Sequence, residues 1–151
     1  MKHLDKWDRF GITSAALWAS MSKDPSTKVG AYIADFRKRP VSGGYNGFPR
    51  GVEDFQHRLE DRAEKYPRTI HAELNAILNA RGDIPQFSTL YVHGLPCCGS
   101  CCGAAIQAGL SRIVMAYPKN ERAFVWDAEH GEVVRSMCAE SGVILLSVEL
   151  E

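Results

Sequence analysis

The stretch STLYVHGLPCCGSCCGAAIQAGLSRIVMA, residues 88–116, decides the fold. Ser88 to Val92 is apolar and β-branched enough to read as a strand. Cys98 to Ala108 is rich in small helix formers and stops at Gly109, and Arg112 to Ala116 is a second short apolar run bounded by polar residues. Strand, helix and strand in immediate succession are the repeating unit of an α/β layer structure.

The same alternation continues in both directions. Downstream, a helix over about Ala128 to Ser141 ends at Gly142, and VILLSVEL (residues 143–150) closes as a strand. Upstream, HAELNAILNARG (residues 71–82) predicts a helix with Gly82 at its C-terminal cap. Further back, Val29 to Ala34 and Val41 to Tyr45 flank the turn RKRP as a hairpin. Trp7 to Met21 predicts a first helix, with Trp7, Phe10, Leu17 and Met21 as its core-facing stripe and Ser14 at the missing step. Between hairpin and second helix, Gly47 to Arg68 is a charged connection whose periodicity is too weak to fix an element, and long connections of this kind often carry function. A hairpin followed by α-β-α-β-α-β predicts helices packed on a mixed sheet.

Composition narrows the class of function. With 151 residues the chain suits one domain, and 45% hydrophobic with 24% charged residues is ordinary for a globular protein. Lysine plus arginine equals aspartate plus glutamate, 18 against 18, so no global positive field gathers a nucleic acid, and small substrates fit better. MKHLDKWDRFG lacks the apolar core of a signal peptide, and no run of about 18 apolar residues would span a bilayer. A cytoplasmic protein with neither membrane nor nucleic-acid partner is therefore expected. Five cysteines, four of them between residues 97 and 102, make a poor disulfide framework and a plausible metal or redox cluster in a reducing compartment.

A catalytic zinc takes three protein ligands and keeps one position for water, and one histidine with two thiolates is a known set. His71 and the cysteines 97, 98, 101 and 102 are the candidates, with His93 nearby in sequence. Positions i and i+3 at a helix start share a face, which pairs Cys98 with Cys101. The i and i+4 pairs Cys97 with Cys101 and Cys98 with Cys102 satisfy spacing as well. His71 and Glu73, at i and i+2, can both reach past the start of a helix. Two helix N-termini meeting there would favour thiolates and an ionised Glu73. A lone C-x-x-C also suits a redox pair or half a structural zinc site, but an H-x-E helix followed by a strand and a C-x-x-C helix is the order seen in zinc deaminases.

Four blocks carry a fuller likeness: SKDPSTKVGAYIAD, GGYNGFPRG, YPRTIHAELNAILNA and LYVHGLPCCGSCCGAAIQAGLSRIV. Over approximately Ser22 to Met115 the chain resembles the deoxycytidylate deaminases of the cytidine deaminase-like superfamily. That resemblance implies a three-layer α/β/α fold with a five-stranded mixed sheet, residues 1–151 forming a single zinc-dependent deaminase domain, and a homo-oligomer. It also implies the register of the cysteines: Cys98 and Cys101 join His71 around one catalytic Zn2+ per chain. Cys97 then occupies the family's usual proline position and Cys102 a small-residue position, both as packing thiols.

The implied reaction is hydrolysis of dCMP to dUMP and ammonia, which supplies dUMP for dTMP synthesis. Glu73 is the implied general acid and base, Asn46 hydrogen-bonds the sugar, and Ala72 is small so that the base can approach. An Asn-Gly pair beside glycines 43 and 44 is also a turn former in its own right. No phosphate-binding loop is present, so Ser26, Thr27, Lys28 and Arg50 are the phosphate candidates nearest the matched blocks. Some family members bind a nucleotide effector, dCTP or dTTP, around the GYNG segment. YPKNERAFVWDAEHGEVVRSMCAESGV (residues 117–143) departs from the regulated members, which keeps deoxycytidine, cytidine and 5-substituted dCMP as alternative substrates. A zinc-stabilised binding module without turnover is the alternative from another class, and Glu73 argues against it.

Overall fold

The computed structural model describes residues 4–150, so the outer ends of the expected 1–151 domain, residues 1–3 and 151, lie outside the described residues. In chain order the elements are α1 (Lys6–Ala19), β1 (Gly30–Ala34), β2 (Pro40–Tyr45), the short helices α2 (Gln56–Glu60) and α3 (Arg62–Lys65) with a 3-10 turn over Tyr66–Arg68, α4 (Ala72–Asn79), β3 (Thr89–His93), α5 (Gly99–Gln107), β4 (Arg112–Pro118), α6 (Glu121–Ser141) and β5 (Ile144–Leu150). The five strands form one sheet in the order β2-β1-β3-β4-β5. β1 runs antiparallel to both β2 and β3, whereas β3, β4 and β5 are mutually parallel. The expected mixed, five-stranded sheet between helical layers is what the chain forms.

One layer is α1, laid over β1 and β3. The other is α4, α5 and α6, whose inward residues Ala72, Ala76, Cys102, Ala105, Val134 and Cys138 pack with Ile33, Leu90, Val92 and Ile113 of the strands. No described helix is long and apolar enough to cross a membrane.

Three local expectations are corrected. The face of α1 that meets the sheet is Asp8, Gly11, Ile12, Ala15 and Ala19, while Trp7, Phe10, Leu17 and Met21 are exposed. The cause at the point of closest approach is distance: a Cβ on Gly11 would sit 2.5 Å from the Tyr91 ring, so the helix passes too close there for any side chain. α4 ends at Asn79 with Ala80 as its C-cap, and Gly82, at φ 89°, lies in the loop beyond. α6 starts seven residues earlier than Ala128, where Asn120 accepts a hydrogen bond from the Ala123 N–H in an N-cap. Gly109 does close α5 as expected, with the Leu110 N–H reaching the Ala105 carbonyl behind it.

Asp8 is the one charged residue on the buried face of α1, and it is satisfied. Arg112 of β4 holds both its oxygens, at 2.5 and 2.7 Å, and the Tyr91 hydroxyl donates to it at 3.0 Å. The Arg112 guanidinium keeps the Asp8 carboxyl below the usual carboxylate range, against the opposing effect of burial. A depressed folded-state pKa contributes stability that is present above the unfolded-state pKa of about 3.9 and is lost as pH falls through the folded value. Asp8→Ala leaves Arg112 partnerless and is expected to cost about 3 kcal/mol at neutral pH. Thermal melts from pH 7 down to acid should show this gap narrowing below about pH 4; a gap that widens in acid would contradict it.

Candidate metal centre and its rim

α4 and α5 begin side by side, with His71 as the N-cap of α4 and Cys98 as the N-cap of α5. The start of α4 is fixed from β2: Ser42 Oγ donates to the Ala76 carbonyl at 2.6 Å, and the Asn75 and Asn79 side chains donate to the carbonyls of Tyr45 and Gly43. These asparagines did not stand out in the sequence, because their role is to dock one helix on one strand. An isolated bridge between Gly47 and Ile70 then brings Asn46 alongside His71. The start of α5 is set by Gly94, at φ 116°, where a Cβ would come within 2.4 Å of the Lys28 carbonyl oxygen.

His71 Nδ1 lies 3.4 Å from Cys98 Sγ and 3.5 Å from Cys101 Sγ. All three donor atoms fall within 4.8 Å of one another, and they form the one such group among the described residues. Zinc with bonds of about 2.3 Å to sulfur and about 2.0 Å to nitrogen puts tetrahedral ligands about 3.5 Å apart, so the donor set fits that ion. Of the three pairings that spacing allowed, the converging one is Cys98 with Cys101.

Charge at the cluster is organised around Cys98. Hydrogen bonding from Cys101 first, and from His71 next, lowers the Cys98 thiol to about 4 in spite of burial. Cys101 moves the opposite way, raised by its hydrogen bond to Cys98 and by burial. His71 is raised, chiefly by its bond to Cys98. Glu73 is 3% exposed, and burial pushes its carboxyl up, partly offset by His71.

The other cysteines are elsewhere. Cys97 is buried with its thiol donating to the Cys98 carbonyl at 3.5 Å, and burial first, with the charge of Glu73 next, pushes it well up. Cys102 points away, its Sγ 3.6 Å from Cys138 Sγ, and burial raises it to about 12. A cavity of about 340 Å³ between α6 and the sheet has Cys97 and Cys138 in its wall but none of His71, Glu73, Cys98 or Cys101.

Asn46 is 7% exposed and tied at both ends of its amide: Oδ1 accepts from the Val29 N–H at 2.9 Å and Nδ2 donates to the Thr27 carbonyl at 2.9 Å. It staples the loop before β1 and retains one lone pair and one N–H. Ala72 is fully buried between His71 and Glu73. Ser26 and Thr27 form a turn on Asp24, whose Oδ1 accepts both of their N–H groups and the ammonium of Lys65 at 3.1 Å. The charged connection after β2 therefore braces this loop. Lys28 and Arg50 are exposed, and no described hydrogen bond or ion pair joins the Arg50 side chain to the cluster.

α6 contributes two residues that sequence reasoning missed. The Trp126 ring lies 6.0 Å from the His71 ring and its Nε1 donates to the Pro96 carbonyl at 2.8 Å. One turn earlier, Arg122 Nη1 donates to the Ser26 carbonyl at 2.5 Å and to the Thr27 hydroxyl. The available signal was Asn120, a good N-cap directly before ERAF, which starts the helix early enough to carry both.

A family model for the cytidine and deoxycytidylate deaminase zinc-binding region matches residues 5–117. An uncharacterised deaminase from the luxG 3′ region of Aliivibrio fischeri is 37% identical over 140 residues, covering 93% of this chain and 92% of the relative. The deoxycytidylate deaminase of Mus musculus is 34% identical over 143 residues, covering 91% and 77%. Among solved structures, the dCMP deaminase of cyanophage S-TIM5 in complex with dCMP and dUMP superposes with a TM-score of 0.71 over 97% of this chain and 100% of that one, at 21% identity, a likeness of fold.

Proposed function

The chain belongs to the cytidine and deoxycytidylate deaminase family, and from that premise we propose that it hydrolyses dCMP to dUMP and ammonia with one zinc ion held by His71, Cys98 and Cys101. The observation that carries this reading is the meeting of two helix starts, which sets three zinc-compatible donors beside a buried carboxyl, Glu73. A structural zinc site has no use for that carboxyl. The identity to named deoxycytidylate deaminases supports dCMP as the substrate.

Zinc bound there supplies a water acidic enough to lose its proton near neutral pH. Glu73 would accept that proton and carry it to N3 of the pyrimidine as the water oxygen bonds to C4, then take the remaining proton from that oxygen and deliver it to the amino group, which leaves as ammonia when the C4–N4 bond breaks. Ala72 leaves space for the base to approach. Asn46 uses its remaining N–H and lone pair on the sugar, and Ser26, Thr27, Lys28 and Arg50 offer donors toward the phosphate. One sheet running through the described residues supports a single deaminase domain. The exposed Trp7, Phe10 and Leu17 of α1, with Met21 just past its end, form an apolar stripe that a second copy would cover, which supports a homo-oligomer.

The test is turnover by the zinc-loaded protein of dCMP, deoxycytidine, cytidine and 5-methyl-dCMP, followed by loss of absorbance, with dCTP or dTTP added as trial effectors. dCMP should be the preferred substrate. Zinc-replete protein that deaminates none of them overturns the reading, and sedimentation of the same sample as a monomer overturns the assembly.

A further inference from the structure

Arg122 is a cation at the rim of the site whose partners carry no charge. Its guanidinium donates to the Ser26 carbonyl and the Thr27 hydroxyl, and none of the described ion pairs includes it. The acid nearest along that loop, Asp24, spends Oδ1 on Lys65 and two backbone N–H groups, and no described contact joins it to Arg122. An arginine fork bound to neutral oxygens is ready for an oxyanion, which it holds in a paired, charge-assisted geometry that a carbonyl cannot match.

Its position relative to the reacting centre follows from two chains of contact. Along α6, Arg122 and Trp126 are i and i+4 on one helix face, and the Trp126 ring leans on His71. Along the loop before β1, Thr27 is bound through its carbonyl to Asn46. A ligand with its base at His71 and Glu73 and its sugar at Asn46 therefore continues outward onto Thr27 and Arg122. In dCMP the group at that end is the 5′-phosphate.

We propose that Arg122 is the residue that selects the 5′-monophosphate: its guanidinium leaves the Ser26 carbonyl to bind two phosphate oxygens, with the Thr27 hydroxyl as a third donor. This rests on the dCMP reading above. The competing role is a strut, in which Arg122 only latches α6 to the loop; a strut would matter equally for every substrate.

The experiment uses zinc-loaded wild type, Arg122→Ala and Arg122→Lys, with kcat and KM for dCMP and for deoxycytidine and calorimetric affinities for dUMP and deoxyuridine. Charge-assisted hydrogen bonds of this kind translate to about 10- to 100-fold. Arg122→Ala should lower the preference for dCMP over deoxycytidine by that factor, mainly through KM, and weaken dUMP far more than deoxyuridine. Arg122→Lys, which keeps the charge without the fork, should recover part of the loss. Equal losses on dCMP and deoxycytidine, or an unchanged preference, overturn the proposal and leave dCMP deamination standing. A wild type that deaminates deoxycytidine but not dCMP defeats the dCMP reading, and the role of Arg122 with it.

Discussion

Glu73→Gln is expected to lower kcat on dCMP by about 10³-fold, in the middle of the range by which a positioned acid–base group accelerates a reaction. Glutamine keeps the volume of a side chain that is 3% exposed but can neither accept the first proton nor return it. The change should leave the metal site intact, because the donors are His71, Cys98 and Cys101. Burial also makes an ionised carboxyl costly at this position, so the metal-free variant should melt no lower than metal-free wild type. Activity, bound zinc and melting temperature measured together separate chemistry from folding. Turnover within tenfold of wild type would remove Glu73 from the proton path.

Cys98→Ala and Cys101→Ala are each expected to abolish turnover by emptying the metal site. Zinc held by small protein sites is worth about 10–16 kcal/mol, so losing one ligand of three removes about 3–5 kcal/mol, or about 10²- to 10⁴-fold in affinity. Cys102→Ala should retain one zinc per chain, since its sulfur lies against Cys138 on the far side of α5. Cys97→Ala should retain zinc as well and change only the surroundings of Glu73. Metal analysis after dialysis against a weak chelator decides the matter. Zinc kept by Cys98→Ala and lost by Cys97→Ala would shift the ligand register by one residue.

The part of the fold readable from sequence is the part governed by local rules. Residues 88–116 combine β-branched strands, a small-residue helix and a left-handed glycine stop at Gly109, and each signal acts within a few residues. At the site, spacing proposed His71, Glu73 and the cysteine cluster but left three cysteine pairings open, and the likeness to the deaminases selected Cys98 with Cys101. α1 was misread because its large apolar residues look like a core face, whereas the buried side had to be small to pass over Tyr91. That constraint belongs to Tyr91, which also bonds Asp8 on the same helix across 83 positions of sequence. The rim was missed for a similar reason: Arg122 and Trp126 acquire meaning only once α6 is known to begin at Glu121 and to cross back to Ser26 and His71.

The route of α6 puts two kinds of group on two parts of the chain. Every group assigned to metal binding and proton transfer lies within residues 71–101, whereas Arg122 and Trp126 reach the rim from the last helix. Under the proposed role of Arg122, admission of the substrate and removal of its amino group fall to separate segments of the chain. Substitution at Arg122 then probes which molecule is admitted with His71, Cys98, Cys101 and Glu73 all still in place.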